Sequence, residues 1–314
     1  MHRRRLLSLT TTLLASAGCA ESTRPIDINE PQRLPTQGTI RAIYVGDTVD
    51  RFAIPGQPNI ALGVQQNLRD MSTFLRRTAN ILSMRYESLE VRSELPLSGE
   101  PDPFDCTNVM RSLDEAEQRG PADVVFFYYA GHGANRVDPN GRVAANVLGP
   151  DGQPVSVRLA AETPFMACTG NSPSPNLANI SQRLQATRPR LLVVMFDSCN
   201  SVAEFEPFST EAAAIPAPPT EDLRLAELFL RSRGIVHVIG TQPGQYGFYR
   251  PDGGLATKQF LGIIRNADPS QPQTWAQIRD AFETQRVTTY RPGTRELRHF
   301  VQQPSMPFVQ INRV

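Results

Sequence analysis

Two stretches of this chain, Val124–Tyr129 (VVFFYY) and Leu191–Phe196 (LLVVMF), are apolar or aromatic at every position. A strand with one face in water alternates polar and apolar residues. A strand buried on both faces does not, and such strands belong to parallel sheets covered by helices. The two runs therefore predict an α/β sandwich around a parallel sheet.

The rest of the sequence supplies the layers. Thr39–Gly46 (TIRAIYVG) reads as a first strand, Tyr86–Leu95 as a second and Ile235–Gly240 as a further buried one. Leu68, Met71, Phe74 and Leu75 recur with helical period in Gln65–Asn80, and Val109, Met110, Leu113 and Ala116 do so in Thr107–Arg119, stopped by Gly120-Pro121. Further helices are expected over Ile180–Ala186, Asp222–Arg233 (ended by Gly234), Gly254–Asn266 and Thr274–Arg286. A short hairpin is expected around Asp151-Gly152, and Glu204–Thr220, rich in Pro and Ala, reads as a flexible connection. With 40% hydrophobic and 20% charged residues the composition suits one such domain, over 39–314. The net charge of +1 gives no electrostatic footprint for nucleic acid.

The N-terminus has its own logic. Arg3-Arg4-Arg5 precedes a short apolar stretch that ends in Ser16-Ala17-Gly18-Cys19, the layout of an export signal over residues 1–18. It resembles a bacterial lipobox, in which Cys19 would be lipidated and anchor the chain to a membrane, although Ser16 stands where that motif has Leu. Cleavage after Ala17 is the alternative. Residues 19–38, with Pro25, Pro31 and Pro35, read as a tether. The expectation is an exported protein of the periplasm or cell envelope.

Each central apolar run ends in an abrupt polar cluster, Ala130-Gly131-His132-Gly133 after the first and Asp197-Ser198-Cys199-Asn200 after the second. Open parallel sheets bind ligands beyond the carboxyl ends of their strands. If the two runs are neighbours, His132 and Cys199 face one crevice, where an imidazole can raise the thiolate fraction of a cysteine nucleophile. The amides of Gly133 and Cys199 are then the natural donors to a tetrahedral oxyanion. Taken singly, Cys199 also fits a buried small hydrophobe, and Gly-His-Gly a surface turn.

Phe126–Gly133 (FFYYAGHG) resembles the "FFYYSGHG" segment of metacaspases, and Phe196–Ser201 (FDSCNS) resembles their "FDCCHSG" segment. Asn67-Leu68-Arg69-Asp70, Gly253–Thr257 and Gln303-Pro304 follow in the family's order. The resemblance implies a caspase-like three-layer α/β/α sandwich with a mainly parallel central sheet. It also implies a cysteine endopeptidase acting on proteins or peptides through a His132/Cys199 dyad. Asp197 matches the family position that lines an acidic S1 pocket for Arg or Lys; a cap on the following turn is the alternative. Asp105 or Asp102 is a candidate second carboxylate.

Departures from the pattern keep a catalytically silent binding module, or a hydrolase of another acyl substrate, as alternatives. Ala130 replaces the pocket serine, and Asn200 stands where the family often has His. No metal or other cofactor is expected, with calcium activation left open but unsupported by the sequence: the family's calcium-binding acids have no clear counterpart, and Asp138 and Asp151 sit in turn sequences. Residues 201–223 contain no Arg or Lys, so a basic-specific enzyme is expected to work uncut there, or to be cut near Arg224. His237, within Gly-Ile-Val-His-Val-Ile-Gly, reads as a core histidine. Cys106 and Cys168 remain, a candidate disulfide in an oxidising compartment or two free thiols.

Overall fold

The computed structural model describes residues 38–52, 59–94, 103–134, 144–148, 154–158, 164–170, 172–198, 222–242, 245, 247–290 and 299–313. The export signal, Cys19, the tether up to residue 37, Asp102, Asp138, Asp151, Cys199, Asn200 and the Pro/Ala-rich segment lie outside the described residues.

In chain order the elements are β1 (Thr39–Gly46), α1 (Ala61–Ile81), β2 (Arg85–Arg92), α2 (Cys106–Gln118), β3 (Val124–Gly131), β4 (Gly133–Ala134), β5 (Ala144–Leu148), β6 (Pro154–Arg158), β7 (Phe165–Met166), α3 (Leu177–Gln185) and β8 (Leu191–Ser198). There follow α4 (Leu223–Leu225), which runs into a π-helical turn (Ala226–Leu230), then β9 (Ser232–Ile239), β10 (Tyr249–Arg250), β11 (Gly253–Gly254), α5 (Leu255–Asn266), α6 (Trp275–Glu283), β12 (Val287–Tyr290), β13 (His299–Gln302) and β14 (Ser305–Arg313).

A six-stranded sheet in the order β14-β9-β8-β3-β1-β2 forms the middle layer. All its pairings are parallel except β14 with β9, which is antiparallel. Even-numbered residues of β3 (Phe126, Tyr128, Ala130) pack against α1, α5 and α6, whereas Val125, Phe127 and Tyr129 pack against α2 and α3. Both faces of β3 and β8 are buried at every position, which is why neither sequence alternates.

Polar side chains inside this frame do structural work. The buried Arg41 pairs with Glu87 at 2.9 Å and donates to the carbonyls of Ala116 and Gly120, the groups that the end of α2 leaves unbonded. His237, half-buried rather than in the core, contacts Ser181 Oγ through Nε2 at 2.7 Å, and burial pushes its pKa down to about 4, so it is neutral. The hairpin expected near residue 151 is the β5–β6 pair, whose connection lies outside the described residues.

The expected helix over Asp222–Arg233 is shorter, because β9 already begins at Ser232. Gly234 does not end a helix. It sits inside β9 with φ +133, and a Cβ there would lie 1.9 Å from the Gln310 carbonyl oxygen of β14. The missing side chain is what lets the edge strand close on the sheet. The second strand ends at Arg92 rather than Leu95.

Candidate active site

The site is built at the carboxyl edge of three adjacent strands, β1, β3 and β8. In the β3–β8 ladder Ala130 is opposite Asp197 and Gly131 is opposite Ser198. The next residue along one strand is His132, and the next along the other is Cys199. From the neighbouring β1, the turn beginning at Asp47 crosses the same edge, and its amide donates to the Ala130 carbonyl at 3.1 Å.

That turn carries the residue that sequence reasoning missed. Asp50 Oδ1 lies 2.7 Å from His132 Nε2, with both side chains buried. Asp50 has φ +57, the left-handed region that only a few per cent of non-glycine residues occupy. Its second oxygen accepts the Ile60 amide at 3.0 Å. Burial alone would raise its pKa, but the bonds from His132 and Ile60 and the attraction to His132 outweigh it, so the group is held below the ordinary carboxylate range. The Phe52 ring packs edge-on to the imidazole at 6.3 Å. Asp47 anchors the turn by accepting from the Arg51 amide and from Ser93 Oγ at 2.7 Å; burial raises its pKa.

Asp47, Asp50 and His132 present atoms within 4.8 Å of one another, close enough to bracket a cation. Their atoms are already engaged, though: Asp47 by Arg51 and Ser93, Asp50 by Ile60, and His132 by Asp50. A cation there would have to replace the His132 Nε2–Asp50 bond, whereas the other bonds leave the carboxylates lone pairs to spare; none is assigned.

The backbone around His132 is held just as firmly. Its carbonyl accepts from the Ala167 amide at 2.9 Å and from the Tyr129 hydroxyl. With that bond in place, the Gly133–Met166 pair of β4 and β7 is of the kind whose own amides do not bond across the ladder. The Gly133 N–H is thus not consumed by strand pairing. A disulfide joins Cys106, at the start of α2, to Cys168, next to Ala167, with Cα atoms 5.2 Å apart. It ties the segment that braces His132 to the helical layer.

Asp197 projects to the other face of the sheet, between α1 and the start of α5. One carboxylate oxygen accepts from Asn67 Nδ2 at 2.9 Å, Thr257 Oγ1 at 2.6 Å and the Thr257 amide at 3.1 Å. It thereby caps α5, whose own N-cap, Gly254, has no side chain to do so. The following turn, where the expected alternative places a cap, lies outside the described residues; among those described, Asp197 caps a distant helix. A Cβ at Gly254 would lie 2.5 Å from that carboxylate.

The other oxygen, Oδ1, is buried and has no hydrogen-bond partner among the described residues. Burial raises the Asp197 pKa to about 6, against the bonds from Thr257 and Asn67 that lower it. Ala130, the register partner, faces the same side, so the hydroxyl absent at that position is missing beside this carboxylate.

Asp105 is not brought to Asp197. It caps α2 by accepting the Thr107 amide at 2.6 Å and packs on Gly170, on the face of the sheet that α2 covers. It is therefore a structural cap, and its distance from the Asp197 face follows from which layer α2 occupies.

A family model described as the caspase domain matches residues 64–311 of this chain. The chain belongs to the caspase domain family. Members are cysteine peptidases, hydrolases of proteins or peptides, and the matched region of this caspase-domain protein spans α1 to β14. No curated protein matches it. Among solved structures, a protein from Geobacter sulfurreducens is 14% identical with a TM-score of 0.45, covering 84% of this chain and 93% of that one. Caspase-1 from Spodoptera frugiperda is 9% identical with a TM-score of 0.48, covering 90% of this chain and 92% of that one.

Proposed function

We propose that this caspase-domain protein is an endopeptidase in which Cys199 is the nucleophile and His132 its acid–base partner. The observation that carries the reading is the parallel β3–β8 register, with Gly131 opposite Ser198, which makes the two residues the next along neighbouring strands. The Cys199 thiol gives its proton to His132 as sulfur adds to the peptide carbonyl. The oxyanion so formed takes hydrogen bonds from the Gly133 and Cys199 amides. Collapse breaks the C–N bond, and His132 returns the proton to the leaving amine. Water then hydrolyses the thioester and restores the thiol.

Cleavage follows Arg or Lys. Asp197 supports this: it is a buried carboxylate with one oxygen unpartnered among the described residues, and no described cation pairs with it. Burying an unpaired charge is expensive, and a guanidinium or ammonium from the substrate is the complement it lacks. Residues 1–19 support export and lipid anchoring at Cys19.

The test is covalent trapping. Peptidyl chloromethyl ketones with Arg or Asp at P1 would be incubated with the protein and the adduct mapped by mass spectrometry. A single alkylation at Cys199, faster with Arg, absent in Cys199→Ala and slowed in His132→Ala, is expected. Equal labelling of Cys199→Ala would dispose of the nucleophile.

A further inference from the structure

The proposed reacting pair is His132 and Cys199, and a third side chain, Asp50, holds the imidazole. We propose that Asp50 is a positioning residue that fixes His132 as its Nε2–H tautomer and leaves Nδ1 as the nitrogen that takes the Cys199 proton. The inference rests on the reading of His132 and Cys199 as the reacting pair.

An imidazole 2.7 Å from a carboxylate through Nε2 must donate there, because an ionised carboxylate only accepts. The lone pair is then on Nδ1. Asp50 cannot turn away, since its second oxygen is engaged by Ile60 and its main chain is committed to a left-handed conformation that a side chain adopts only where surroundings enforce it. When the thiol proton reaches Nδ1, the imidazolium keeps its Nε2–H on Asp50, and no proton passes to the carboxylate. Among the described residues Asp47 also faces the pair, buried on the same turn, with its oxygens on Arg51 and Ser93.

The arrangement separates two effects. Without the carboxylate the ring can take the Nδ1–H tautomer, which has no lone pair for the thiol, and the imidazolium loses its counter-charge. Both slow the chemical step while leaving substrate binding alone. The analogous loss in a serine peptidase triad is about 10⁴-fold in kcat, and a thiol, being more acidic than a hydroxyl, should depend on it less.

The experiment has two readouts. In full-length Cys199→Ala protein with ¹⁵N-labelled histidine, long-range ¹H–¹⁵N correlations report the His132 tautomer, assigned by comparison with His132→Gln. The inference expects Nε2–H at pH 8, and a shift towards Nδ1–H on adding Asp50→Asn. In the active protein, Asp50→Asn should lower kcat by about 10²–10³-fold with KM changed less than about 3-fold, alter the acid limb of the pH profile, and be partly rescued by Asp50→Glu.

A His132 already in the Nδ1–H form with Asp50 intact would overturn the inference. So would a tautomer indifferent to Asp50→Asn in a variant that melts at the parent temperature. If Asp50→Asn does not fold, the tautomer in Cys199→Ala alone decides. If the parent protein cleaves nothing, the peptidase reading fails while the tautomer still tests the role of Asp50.

Discussion

The Tyr249 hydroxyl donates to the main-chain carbonyl of Asp197. The hydroxyl oxygen itself accepts the Gly131 amide at 3.0 Å. One buried phenol on β10 thus joins the end of β3 before His132 to the end of β8 before Cys199. Tyr249→Phe would leave a buried N–H and a buried C=O without their partner, each costly to strand. The expected result is a loss of about 2 kcal/mol in urea denaturation, with kcat/KM falling more than stability explains. An unchanged melting point and unchanged kinetics would show the clamp to be idle.

On the proposed reading, Asp197 sets function against stability. Its folded pKa of about 6 lies above the ordinary 3.8, so the folded state holds a proton that the unfolded chain has released between those values. The stabilising contribution is complete below about pH 4 and is lost as pH rises through 6. Asp197→Asn keeps an oxygen for Asn67 and Thr257 and removes the buried charge. At pH 8 it should be more stable than the parent by about 1–3 kcal/mol, yet lose its preference for Arg over uncharged residues at P1. The parent should lose that preference as pH falls below 6. Equal or lower stability of Asp197→Asn, with selectivity intact, would contradict both halves.

The Cys106–Cys168 bond closes a 62-residue separation. Loop-closure entropy for that length gives about 4 kcal/mol as an upper figure, and measured values run about 2–4 kcal/mol. Cys106→Ser/Cys168→Ser should be weaker by that amount in denaturant and should also show faster amide exchange at Ala167, which holds the His132 carbonyl. Exchange at Ala167 no faster than in the parent would separate the disulfide from the site.

Self-cleavage before α4 is not expected. Residues 201–221 contain neither Arg nor Lys, and Arg224 is 7% exposed, paired with Asp222 at 2.6 Å and donating to the Ile264 and Arg265 carbonyls at the end of α5. Intact mass after prolonged incubation should show one uncut chain. A cut following Arg224 would mean that the end of α5 opens in solution.

The sandwich was legible because β3 and β8 are buried on both sides, and burial of that kind leaves an unbroken apolar run. His132 stood out because a strand that stops abruptly in polar residues points to a functional edge. Asp50 did not stand out. It belongs to a turn 82 residues away from His132, and only the parallel placement of β1 beside β3 brings the two together. The edge strand β14 was also hidden, since Pro307, Gln310 and Asn312 dilute its pattern and an edge strand needs only one good partner. At Asp197 the sequence indicated a carboxylate, but neither the α5 cap nor the unpartnered oxygen, because both depend on residues from distant elements.

The most direct measurement of the central claim is kcat/KM for fluorogenic peptides carrying Arg, Lys or Asp at P1, with and without calcium, for the parent protein, Cys199→Ala and His132→Ala. The account predicts cleavage after Arg and Lys well above Asp, and a loss of at least about 10³-fold in either variant. Cleavage that persists in Cys199→Ala, or none with any peptide, would contradict it.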